Sequence, residues 1–78
     1  MATKKETLEQ ALRGAGCLGK AADNEPVFVL RAQDALAARL IEKWATLAEG
    51  AGCPPDKVAE ARELAAKMYA WPGRKMPD

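Results

Sequence analysis

The stretch "GAGCPPD", residues 50–56, limits this chain more than any other feature. Two glycines followed by adjacent prolines cannot sit inside a helix or a central strand, because proline lacks the N–H and its ring collides with the preceding turn. Whatever comes before must stop near Glu49, and whatever follows must start at about Pro54. Apolar residues recur at helical spacing on both sides. Ala37, Leu40, Ile41, Trp44, Leu47 and Ala48 form one stripe, and Ala61, Leu64, Ala65, Met68 and Trp71 form another. Two helices joined by so short a break fold back on each other, so the spacing predicts an antiparallel hairpin. Alanine, the commonest residue, lies on both stripes and lets the backbones approach closely.

The expected boundaries follow from caps and breakers. A first helix is predicted over 3–14, where Thr3 and Glu6 stand at capping-box spacing and Leu8, Ala11, Leu12 and Ala15 share a face. Gly14 and Gly16 stop it, and residues 17–24 read as a connector in which Gly19 permits a turn. Asp23, Asn24, Glu25 and Pro26 make a helix start, so a second helix is predicted over 25–49. Val27, Phe28, Val29 and Leu30 favour a strand. A lone strand would leave its ladder unpaired, so helix is preferred there. The third helix is predicted over 54–71, with Pro72 and Gly73 breaking it and a charged tail over 72–78. The fold class is therefore all-α, a single small helical domain spanning 1–78.

A chain of 78 residues buries only about 60% of the surface its unfolded form exposes. Chains this small usually add a disulfide, a metal or association between copies. There is no histidine, and Cys17 and Cys53 lack CxxC spacing, so no structural metal and no cofactor are expected. The charged start "MATKKETLEQ" lacks the apolar segment that export requires. A cytoplasmic setting follows, with both thiols expected as small buried hydrophobes, although a Cys17–Cys53 bridge stays open. No apolar run approaches the ~20 residues of a membrane span. Homo-oligomerisation is the expected remedy, and Val27, Phe28, Val29 and Leu30, partly off the main stripe, are the expected interface.

A net charge of +1 with interspersed signs argues against coating long nucleic acid. Without histidine, a P-loop or a GxSxG elbow, catalysis is not expected. Arg31, Gln33 and Asp34 are the candidate binding group. On a helix Arg31 and Asp34 would simply pair at i, i+3. Beside an apolar contact surface, the guanidinium fork would instead read a phosphate or carboxylate, and Gln33 and Asp34 a base edge or amide. Lys20, Arg39 and Lys43 are candidates to add positive charge. Trp44 reads as core. Tyr69 and Trp71, followed by Arg74 and Lys75, either close the hairpin or stack a base while the cations hold a phosphate. The predicted ligand set is thus Arg31, Gln33, Asp34, Lys20, Trp71, Arg74 and Lys75. Glu42, Glu49, Glu60, Arg62, Glu63 and Lys67 read as a solvated face.

"EPVFVLRAQDALAARLIEKW", "GCPPDKVAEARELAAKM" and the terminal "KMPD" together resemble a group of short proteins from bacteriophage genomes, over residues 21–78. The stretch "CPPDKVAEARELAAKMYAW" is similar in architecture to small helical phage proteins that assemble into rings and sequester cyclic nucleotide signals of bacterial immunity. The likeness implies a non-enzymatic anti-defence protein of the host cytoplasm that holds a small anionic nucleotide-type signal between subunits. The alternative is an inhibitor or adaptor that lays Val27–Leu30 against a host protein. Small size and self-association alone also fit a virion assembly piece.

Overall fold

The computed structural model describes residues 3–76 as an all-helical chain of four helices. They are α1 (Lys4–Leu12), α2 (Gly16–Lys20), α3 (Ala37–Gly50) and α4 (Pro55–Tyr69). No β-strand occurs among the described residues, only a single parallel bridge between Asp34 and Lys75.

Helix α1 starts as its cap residues predict. Thr3 is the N-cap, its hydroxyl oxygen accepting from the Glu6 N–H at 3.2 Å. The same hydroxyl donates to the Glu6 carboxylate at 3.2 Å, so the two side chains hold each other in place. Gly14, at φ +69°, ends the helix in a conformation that favours glycine. The predicted connector 17–24 is not all loop, because Gly16–Lys20 form α2, which packs on α1. Gly19 is there for closeness rather than for a turn. A Cβ at this position would stand 2.8 Å from the Gly14 carbonyl carbon and 3.2 Å from the Ala11 Cα.

The largest departure from expectation lies over 25–36, predicted as the first part of a long helix. Helix α3 begins only at Ala37. Three causes act together. Val27, Phe28 and Val29 lose side-chain freedom in a helix and favour it little. Asp34 turns the chain locally, its carboxylate accepting from the Leu36 N–H at 2.8 Å. The backbone groups at this point are also used elsewhere: the Ala35 N–H donates to the Lys75 carbonyl at 2.8 Å, and the Lys75 N–H donates to the Gln33 carbonyl at 2.8 Å. Residues 25–30 lie in neither helix, strand nor turn.

The hairpin forms as the proline break requires. Gly52, at φ +82°, follows α3, the Cys53 N–H donates back to the Ala48 carbonyl at 3.0 Å, and Pro55 occupies the first turn of α4. The core consists of two clusters. Ala37, Ala38, Ala65 and Met68 are buried together, with Leu30, Ala32, Ile41 and Leu64 packed around them. Ala45, Ala48 and Val58 form the second, with Ala61 against it. The start of α3 thus meets the end of α4 and the reverse, which makes the pair antiparallel. No buried residue lies in α1 or α2, and neither of them packs on α3 or α4.

The predicted α3 stripe splits in two. Alanines take the inner line, while Leu40, Trp44 and Leu47 remain exposed, Trp44 at 53% and Leu47 at 73%. A helix packs tightly along a row of small residues, and rows only about 100° away around the axis are then left outside the contact. Trp71, placed on the inner face of α4 by its spacing, falls beyond the helix end and is likewise exposed. Cys17 and Cys53 were expected to be buried. Both are exposed, free thiols.

Candidate functional site

The bridge between Asp34 and Lys75 joins the two halves of the predicted ligand set. It draws Gln33–Ala35, just before α3, onto Lys75, just after α4, through the two 2.8 Å backbone bonds. The "RAQD" stretch and the "GRKM" stretch therefore share one end of the hairpin. Both flank the cluster in which Met68 and Ala65 meet Ala37 and Ala38.

Within this end the side chains take distinct roles. Arg31 is exposed, and its side chain makes no hydrogen bond or ion pair among the described residues. The expected Arg31–Asp34 pair does not form. The two residues meet through the backbone instead, the Asp34 N–H donating to the Arg31 carbonyl at 3.0 Å. Asp34 is a capping residue, because its carboxylate is taken up by the Leu36 N–H. The half-buried Gln33 contributes its carbonyl to the bridge.

Tyr69 organises the neighbouring surface. Its hydroxyl donates to the Glu42 carboxylate across the α3–α4 pair, and the Arg74 guanidinium lies 5.2 Å from the ring centroid, stacked on the ring face. The hydrogen bond to Glu42 raises the Tyr69 pKa above the usual phenol value, aided by partial burial and the Glu42 charge. Arg39 and Arg74 pull it the other way. Arg39 therefore belongs to this end as well, a contribution its sequence position hinted at only as added charge. Trp71, 56% exposed, follows directly after α4.

Other members of the predicted set are not brought in. Lys20 ends α2, which does not pack on the hairpin. Among the expected interface residues, Val27, Phe28 and Val29 are exposed, Phe28 at 83%. Leu30 differs from them, since it packs against the Ala37–Met68 cluster and serves the core.

Arg31, Arg39, Arg74 and Lys75, with Tyr69 and Trp71, lie toward this end of the hairpin, together with the Glu42 carboxylate that holds the Tyr69 hydroxyl. Exposed aromatic rings can stack a planar group, and guanidinium forks can bind phosphate. Sequence reading missed the Tyr69–Glu42 bond. No local signal marks it, because the two residues stand 27 apart in sequence and meet only once α3 and α4 are paired.

A shallow groove of about 380 Å³ lies elsewhere, at the α3–α4 turn, lined by Glu49, Cys53, Pro55, Val58, Ala59, Arg62 and Glu63. Arg62 is already paired there with Glu49 at 3.0 Å. No predicted ligand residue borders this groove. Among the described residues no cluster of three or more His, Cys, Asp or Glu side chains is placed to hold a metal ion, and no helix is long and apolar enough to cross a membrane. No protein-family model matches the chain, and no curated protein or solved structure matches it.

Proposed function

We propose that this is a non-enzymatic binding protein that captures a small anionic, nucleotide-type ligand at a seam between copies of itself. This is the anti-defence role in the host cytoplasm that the phage resemblance implies. One observation supports the reading: the Gln33–Ala35 pairing with Lys75 draws the stretch that holds Arg31 to the end of the hairpin where Arg74 lies over the Tyr69 ring and Trp71 is exposed. Arg31 and Arg74 hold phosphate oxygens, Trp71 stacks a base, and Gln33 reads a polar edge. Lys75 adds positive charge. Function requires no chemical step, because tight binding by protein in excess lowers the free ligand by mass action.

Native mass spectrometry of protein purified from phage-challenged cells tests this directly. The expected spectrum holds an assembly of copies with a retained small anion, and Arg31→Ala and Arg74→Ala each lose it. Assemblies without bound anion from such cells would overturn the ligand reading.

A second reading is favoured by a specific feature. Val27, Phe28 and Val29 are exposed, and the backbone N–H and C=O groups of residues 27–30 find no hydrogen-bond partner among the described residues. An apolar segment with open main-chain groups suits a host protein that adds it to a sheet edge. Phe28→Asp separates the two readings, because it abolishes capture of a host protein and leaves anion binding unchanged.

A further inference from the structure

The two long edges of the α3–α4 hairpin are not alike. One edge is closed by polar clamps: Tyr69 bonds Glu42, and Arg62 pairs with Glu49. The other flank of α3 carries Leu36, Leu40, Trp44 and Leu47, which follow one another at steps of four, four and three and so line up along the helix. All four are exposed, increasingly so from Leu36 at 36% to Leu47 at 73%. None belongs to either core cluster. They form a continuous apolar row of roughly 400 Å² beside the hairpin core, comparable to the largest patch a soluble monomer usually shows.

The whole chain has surface to spare. It exposes 6245 Å² at a mass of 8.4 kDa, where a folded monomer of that mass exposes about 4,600 Å². Its radius of gyration is 13.3 Å, against about 11.5 Å for a compact chain of this length. A standard interface removes about 800 Å² from each partner. The excess is therefore larger than one such interface; α1 and residues 27–29 share in it, with Leu12 at 89% and Phe28 at 83%, and the apolar row is the part borne on a helix that is already fixed by its opposite face.

We infer that this row is the seam of a two-fold dimer, in which the α3 helices of two copies cross antiparallel and the two hairpins make a four-helix bundle. With the axis close to Trp44, Leu40 of each copy faces Leu47 of the other, and the two Trp44 rings meet at the centre. A second copy suits the row because an isologous contact needs only a patch complementary to itself. A short apolar row with a large residue at its middle meets that requirement. The seam rests on the self-association in the proposed function but not on any ligand, and it differs from the Val27–Leu30 interface expected from sequence.

Sedimentation of the full chain over a range of concentrations, under reducing conditions, tests the seam. The wild type is expected to pass from monomer to dimer. The double variant Leu40→Glu/Leu47→Glu should weaken association at least about 100-fold while its helical circular dichroism persists, since both side chains are exposed. Phe28→Asp should dimerise as the wild type does. A second readout needs no destabilising change: in a Trp71→Phe background, emission from Trp44 should move to the blue as the dimer fills. If the double variant associates as tightly as wild type, or Trp44 keeps solvent-like emission in the dimer, the seam is overturned while self-association stands. A wild type that is monomeric at every concentration overturns both.

Discussion

The α1–α2 pair and the α3–α4 pair are both short, alanine-bearing helical units, yet every buried residue of the described chain lies in the second. In α3 and α4 the small residues face each other: Ala37 and Ala38 meet Ala65 and Met68, and Ala45 and Ala48 meet Val58. In α1 the apolar residues have only a five-residue helix to cover them, and Leu8 and Leu12 remain exposed. Composition alone therefore does not make a core. Opposed rows on two helices of full length do, and the N-terminal pair is held by local devices, a cap and a close glycine contact.

Substitutions that strike one unit and spare the other test this contrast. The largest effect is expected from Met68→Ala, which empties the cluster at the open end of the hairpin and should cost about 2–4 kcal/mol in thermal or urea unfolding. Leu8→Ala should change the same measurement by no more than about 0.5 kcal/mol. If the two were equal, the stabilising core would have to be shared between both units.

Gly19→Ala is next. Its new methyl would stand 2.8 Å from the Gly14 carbonyl carbon and 3.2 Å from the Ala11 Cα of α1, an overpacking that costs about 1–3 kcal/mol where the structure cannot yield. The loss should be local: hydrogen exchange should speed up across 4–20 and stay unchanged over 37–69. Thr3→Ala removes the N-cap acceptor of α1 and should cost that helix about 1 kcal/mol. It is read as faster exchange of the Glu6 amide.

Arg62→Ala breaks an exposed ion pair on the hairpin edge and should cost at most about 0.5 kcal/mol, less at high salt. The smallest effect concerns pH. Tyr69 is the only tyrosine, so phenolate absorbance reports it alone. Its pKa in the folded chain is raised by the bond to Glu42, so the folded state holds the phenol proton more tightly than the unfolded one. The resulting contribution to stability is complete below the ordinary phenol pKa and is lost as pH rises through the folded value. Glu42→Gln should move the titration midpoint down.

Much of this architecture can be read directly from the residues. Thr3 and Glu6 mark the start of α1, and Gly52 with Pro54 and Pro55 defines the turn of the hairpin. These are local signals that need only neighbouring residues. Two features escape such reading. Residues 25–36 leave the helix partly because Lys75, remote in sequence, takes the hydrogen bonds of Gln33 and Ala35, and no local propensity records a remote competitor. The division of the α3 stripe into an alanine line and a leucine–tryptophan row depends on how closely α4 approaches, a distance that periodicity does not encode. Of the ligand set proposed from the residues, the stretches that carry Arg31, Gln33, Arg74 and Lys75 come to one end of the hairpin, which no local signal foretells. Asp34 proved to cap a turn, and Lys20 stayed with α2.

The closure between Lys75 and Gln33–Ala35 has a kinetic consequence. The hairpin makes contacts between near neighbours along the chain and forms on the fast, microsecond-to-millisecond scale of local helical structure. The two bonds at its open end span the whole of that unit, so their loop-closure entropy is repaid only after α3 and α4 are aligned. Within the hairpin unit the cationic end is therefore expected to close after α3 and α4 align, which sets an adjustable rim on a helical scaffold.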